Sequence, residues 1–147
     1  MVRMTKITVL YGTETGNSEL LAMDICKTGE QSGFECVNFG MDEIENSEFC
    51  DIENLLIVCS TWGDGEQPDN AIDLFDYVEG LGESDLENMK FSVLALGDTA
   101  FDLFCEAGKE WDRILEEKGA NRIYGRVDCD VDYEDDAEEW IENVIAT

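Results

Sequence analysis

Three short stretches hold the residues best able to do chemistry. The first, GTETGNS, sets Thr13, Glu14, Thr15, Gly16, Asn17 and Ser18 between an apolar run and a helix. Its hydroxyls and amide are donors, and Gly16 lets the backbone close on an anion. The helix start behind it adds unpaired N–H groups and a favourable dipole. Such a nest can hold a phosphate without a cation, and it contains no Lys or Arg. The same residues would also serve as a plain helix cap and turn. With no Lys after Gly16 the stretch departs from GxxxxGK[ST], which disfavours nucleotide triphosphate hydrolysis, and it is not GxGxxG.

The second stretch, STWGDGEQ, carries Ser60, Thr61, Trp62 and Gly63. An indole just past a strand can cover a planar ring, or pack on its neighbours as a loop aromatic. Gly63 leaves the following peptide free to take either orientation, because positive φ costs glycine little. The third stretch, GDTAFDLFC, carries Gly97, Asp98, Phe101, Leu103, Phe104 and Cys105. Its backbone N–H groups could meet the carbonyl oxygens of a heterocycle. Phe104 reads equally well as core, Phe101 less so. Together the three describe a phosphate at one side and a flat ring between two aromatics.

The elements that must position these loops alternate strictly. Strands are expected at Ile7 to Tyr11, Phe34 to Phe39, Leu55 to Cys59, across KFSVLAL, and at Arg122 to Val127. The near-continuous apolar content of the third and fourth implies burial on both faces. Helices are expected from about Asn17 with apolar Leu20, Leu21 and Ile25, through Ala71, Leu74, Phe75 and Val78, and through Ala107, Trp111, Ile114 and Leu115. A last helix carries Ala137, Trp140, Ile141, Val144 and Ile145. This alternation predicts an α/β fold with a parallel sheet and helices on both faces. Ligands of such sheets bind beyond the carboxyl ends of the strands, where the three loops fall.

The 147 residues fit one domain, 1–147, with a single proline and no linker composition. Thirty-six acids against nine bases give a net charge of −27. That charge argues against nucleic acid or an anionic membrane as partner and suits basic protein surfaces; solubility alone, or a halotolerant proteome, is the plainer account of it. No run approaches the ~18 apolar residues of a membrane span, and the N-terminus reads as a strand rather than a signal peptide, so a cytoplasmic protein is expected. Six scattered cysteines without CxxC, and no histidine, point to free buried thiols and no metal site.

The stretches YGTETGNSE, CSTWGDG and LGDTAFDLFC occur in an order and spacing that resemble the flavodoxins, specifically the short-chain type found in sulfate-reducing bacteria, over essentially the full length. The resemblance implies a three-layer flavodoxin-like sandwich with a five-stranded parallel sheet in order 2-1-3-4-5. It also implies a non-covalent FMN and a monomeric, low-potential carrier of single electrons, not an enzyme. Thr13 to Ser18 would wrap the phosphate with Ser60, and Thr61 and Asn17 would meet the ribityl chain. Trp62 and Phe101 would stack on the two flavin faces. Backbone groups of Asp98, Leu103 and Cys105 would bind the pyrimidine edge, and the Gly63 carbonyl would turn toward flavin N5 once that atom is protonated. Basic-patch redox proteins, such as cytochromes or oxidoreductases, would be the partners. Phe101 stands where the family usually has Tyr, and Glu14 where it often has Thr, so Glu14 is expected to bind through its backbone only.

Three rivals share parts of the pattern. An FMN-dependent NAD(P)H reductase or quinone-type enzyme would need room over the flavin, which Trp62 and Phe101 would fill. A phosphoacceptor receiver needs an acid pair after the first strand, an Asp after the third and a Lys after the fifth; Gly12–Thr13, Ser60–Thr61 and Asp128 stand there instead. An EF-hand reading puts Asp128, Asp130, Asp132 and Glu139 at ligand positions one, three, five and twelve. Tyr133, however, occupies the glycine position, which favours a solvated acidic turn.

Overall fold

A computed structural model describes residues 6–12, 17–60, 67, 69–97, 105–130 and 134–146. The strands β1 (Lys6–Gly12), β2 (Glu35–Gly40), β3 (Asn54–Ser60) and β4 (Lys90–Leu96) run parallel in the order β2-β1-β3-β4. Register pairs Gly12 with Cys59 and Ser60 with Leu96, so the C-terminal ends of β1, β3 and β4 come level at one edge. The helices are α1 (Asn17–Gln31), a one-turn α2 (Asn46–Phe49), α3 (Ile72–Glu79), α4 (Glu106–Glu117) and α5 (Glu134–Ala146); a 3₁₀ turn over Asp69–Ala71 leads into α3.

Side chains alternate across the sheet, and each face builds its own core. On one side Leu55, Ile57, Cys59, Phe91 and Val93 pack with Leu74 and Val78 of α3 and with Trp111, Ile114 and Leu115 of α4. On the other, Val9, Leu56, Val58, Leu94 and Leu96 pack with Leu21 and Ile25 of α1 and Trp140, Ile141 and Val144 of α5. The helical stripes read from the sequence are the buried ones at Leu21, Ile25, Ala71, Leu74, Phe75, Val78, Ala107, Trp111, Ile114, Leu115, Ala137, Trp140, Ile141 and Val144. Leu20, expected on the apolar face of α1, is instead 60% exposed because it points away from the sheet, and the Ile145 side chain lies outside the described residues. The indole of Trp140 donates to Ser92 Oγ at 3.0 Å, and that hydroxyl donates to the Tyr124 carbonyl at 3.0 Å, which leaves no unpaired polar atom along this route through the core.

The last strand differs from expectation. Instead of one run from Arg122 to Val127, the chain forms β5 (Asn121–Arg122) and β6 (Val127–Cys129), both parallel to β4, with a bend between. Arg122 and Arg126 flank the bend, and both reach Asp112 of α4, at 2.9 and 3.0 Å. Holding two guanidiniums on one carboxylate pulls the segment out of the ladder. The five positions of the expected sheet order survive, with the fifth divided.

Candidate functional site

The site is framed by where β1, β3 and β4 stop. At the first crossing Ser60 Oγ donates to the Gly12 carbonyl at 3.3 Å, which ties the start of the second loop to the start of the first. A Cβ on Gly12 would lie 3.1 Å from Cys59 Sγ and 3.2 Å from Ala71 Cβ, so the chain leaves the sheet through a gap that suits glycine. Asn17 opens α1, and Ser18 follows with no exposed surface. The Ser18 hydroxyl is buried and has no hydrogen-bond partner among the described residues. An orphaned hydroxyl costs about 1–3 kcal/mol, and here it stands in the first helical turn among N–H groups that the helix cannot pair. A phosphate oxygen would satisfy both. This fit supports an FMN phosphate at the start of α1.

Beyond β4, Gly97 N–H donates to the Cys129 carbonyl at 2.9 Å. A Cβ on Gly97 would come within 2.8 Å of the Cys105 backbone nitrogen, so the two ends of the third loop meet only because Gly97 has no side chain. Cys105 has φ of 57°, a left-handed conformation unusual for a non-glycine residue. Its thiol turns inward, donating toward the carbonyls of Ala95 and Cys129, and burial pushes it up to about 12. Cys105 can therefore offer a ligand its backbone but not its sulfur.

Two residues that the loop motifs did not single out anchor the second loop. Gln67 Nε2 donates to the Ala107 carbonyl at 3.0 Å and to Glu110 Oε2 at 3.2 Å, while its Oε1 accepts from the Trp111 indole at 3.0 Å. Cys59 directs its thiol at the same oxygen. The exit of the second loop is thereby fastened to α4, which begins where the third loop ends. Asn70 Nδ2 donates to the Tyr11 carbonyl at 3.2 Å, fastening the same region to β1. Gln67 closes the stretch STWGDGEQ and Asn70 stands three residues further on, and residue type alone marked neither as an anchor.

Of the expected site residues, Ser18, Ser60, Gly97 and Cys105 are described and stand at this edge, and Asn17 takes its place as the first residue of α1. Thr13, Glu14, Thr15, Gly16, Thr61, Trp62, Gly63, Asp98, Phe101, Leu103 and Phe104 lie outside the described residues, as do Asp132 and Tyr133. Among the described residues no group of three or more His, Cys, Asp or Glu side chains could hold a metal, and no helix is long and apolar enough to cross a membrane.

Comparison with known proteins shows the family of the chain. The Flavodoxin family profile matches residues 9–142. The sulfite reductase [NADPH] flavoprotein alpha-component of Bacillus subtilis (strain 168) is 47% identical over 140 residues, covering 95% of this chain and 23% of that protein. The chain thus spans about a quarter of the length of such relatives. Oxidised flavodoxin 2 from Bacillus cereus superposes with a TM-score of 0.77 at 30% identity, covering 97% of each chain. A Streptococcus pneumonia TIGR4 flavodoxin, at 24% identity, shares the fold with a TM-score of 0.85 over 97% of this chain and 96% of its own.

Proposed function

The chain belongs to the flavodoxin family, whose members carry electrons on FMN, and from that premise we propose how its own residues do so. The observation that carries the reading is the buried, unpartnered Ser18 hydroxyl at the start of α1, beside the paired ends of β1 and β3. Ser18, with the backbone N–H groups of the first turn of α1 and the side chains of Thr13 and Thr15, holds the phosphate. Ser60 lines the crevice between β1 and β3, Trp62 and Phe101 cover the ring, and the backbone at Asp98, Leu103 and Cys105 meets its polar edge. FMN, when bound, supplies the one-electron chemistry. The chain supplies position, exclusion of water and electrostatics.

The electrostatics are one-sided. At −27 the chain opposes any negative charge arriving on the cofactor, which lowers the corresponding potential. One acid ~10 Å away contributes only about 0.4 kcal/mol in a water-like dielectric, so the effect is the sum of many acids and is screened by salt. The same field draws in partners with basic patches. The B. subtilis relative is named for NADPH, so a separate NADPH-oxidising flavoprotein unit is one fitting electron source for this chain. In this reading the chain by itself is a carrier and not a reductase, and its place is the cytoplasm.

Anaerobic mixing tests this. The FMN-loaded chain alone should leave NADPH unoxidised, and after reduction by dithionite it should pass electrons to a basic haem protein at a rate that falls steeply with added salt. NADPH oxidation by the chain alone would support a reductase instead, and a salt-independent transfer rate would remove the electrostatic part of the reading.

A further inference from the structure

Cys26 lies in the middle of α1 and Cys36 near the start of β2, with 11 residues from one to the other inclusive. Their sulfurs are 2.6 Å apart, Cys36 donating to Cys26. Both residues are buried, at 6% and 7% exposure. Cys59 and Cys105, by contrast, aim their thiols at oxygen acceptors. The hydrogen bond received from Cys36, with a further one from Asn38, holds the Cys26 thiol below its usual range, against the opposing effects of burial and Glu30. Cys36, as the donor, is pushed up. A thiolate on one sulfur would therefore face a thiol on the other. Packing of α1 on β2 keeps the two sulfurs facing each other, so closure of a bond needs little rearrangement.

We propose that Cys26 and Cys36 form an oxidisable dithiol, a modification site that takes hydrogen peroxide as its two-electron oxidant and closes to a disulfide. In the first step the Cys26 thiolate attacks one peroxide oxygen. The O–O bond breaks, the departing hydroxide takes up a proton to become water, and Cys26 becomes a sulfenic acid. In the second step the Cys36 sulfur attacks the Cys26 sulfur, and the S–O bond breaks as the S–S bond forms. The hydroxide leaves with the Cys36 proton as a second water. Two thiols lose two electrons and one peroxide gains them. Cys26 is nine residues into α1, roughly 14 Å along its axis from the helix start, so the chemistry is separate from that of the cofactor edge.

The test uses the purified full chain with FMN bound and oxidised, treated with a small excess of hydrogen peroxide and then with N-ethylmaleimide. Glu-specific proteolysis separates the pair, because Glu30 and Glu35 lie between them. The expected result is the peptide 20–30 joined to the peptide 36–43 at two hydrogens below their summed mass, reversed by dithiothreitol. The Tm of the oxidised protein should rise by about 5–10 °C, as closing a loop of this length predicts. In Cys26→Ser and Cys36→Ser the link and the Tm rise should both vanish. Recovery of the two wild-type peptides unlinked, whether alkylated or oxidised singly, would overturn the proposal, and so would a link from either cysteine to another position.

Discussion

Ser18 carries opposite consequences for stability and binding, and that opposition makes it diagnostic. A hydroxyl buried without a partner weakens the cofactor-free fold, while the same hydroxyl donated to a phosphate contributes a charge-assisted bond. Ser18→Ala should leave the cofactor-free chain as stable as the parent or up to about 1 kcal/mol more so in urea denaturation. It should weaken FMN binding by about 1.5–3 kcal/mol, roughly 10- to 100-fold. A Ser18 that merely capped a helix would give a loss of stability and no selective loss of binding. The sequence put Ser18 in the nest because the residue type was right. It could not show that the hydroxyl is buried and unpaired, because that depends on how α1 meets the sheet. Gln67 was still less legible, since its partners Glu110 and Trp111 lie more than 40 residues away.

Among elements, α4 is seated closely on β4. A Cβ on Gly108 would stand 2.3 Å from Ala95 Cβ and 3.0 Å from Ala95 Cα, in the strand whose end bears Gly97. Gly108→Ala gains up to about 1 kcal/mol of helix propensity, but it must push α4 off β4. Overpacking of this kind costs about 1–3 kcal/mol or more, so a net loss is expected in urea denaturation, together with weaker FMN binding because α4 begins directly after Cys105. The strands and long helices were legible because each repeats an apolar pattern over several turns or several strand residues. The one-turn α2 is too short to show a period. The division of the fifth strand arises from Asp112 drawing in Arg122 and Arg126, a side-chain arrangement that no strand pattern encodes.

At the scale of the whole molecule, buried groups that must stay neutral set the alkaline limit. Burial holds the Cys105 and Cys129 thiols protonated up to about 12, and burial together with the Glu43 carboxylate does the same for Tyr11. All three are raised above their unfolded values, so their stabilising effect is complete below those values and is lost as pH rises toward 12. Thiols begin to count from about pH 8.5 and the tyrosine from about pH 10, each at on the order of 1 kcal/mol per pH unit. The Tm should therefore be level near neutrality and fall with increasing slope above about pH 9. Tyr11→Phe should flatten the part of that fall above pH 10. The parallel sheet with helices on both faces could be read from the alternation of β and α units, whereas the strand order came with the resemblance to the flavodoxins. Whether such a unit works alone or beside an NADPH-oxidising partner was not legible, since the loop residues report the cofactor they hold rather than the protein that reduces it.

The central claim is that a nest without any cation grips the phosphate of FMN at the start of α1, and a paired titration tests it most directly. Cofactor-free chain is added to FMN and, separately, to riboflavin, while the flavin fluorescence is followed. The account predicts that FMN is quenched with a submicromolar Kd and that riboflavin, which lacks the phosphate, binds at least about tenfold more weakly. Equal affinity for the two flavins, or quenching of neither, would contradict it.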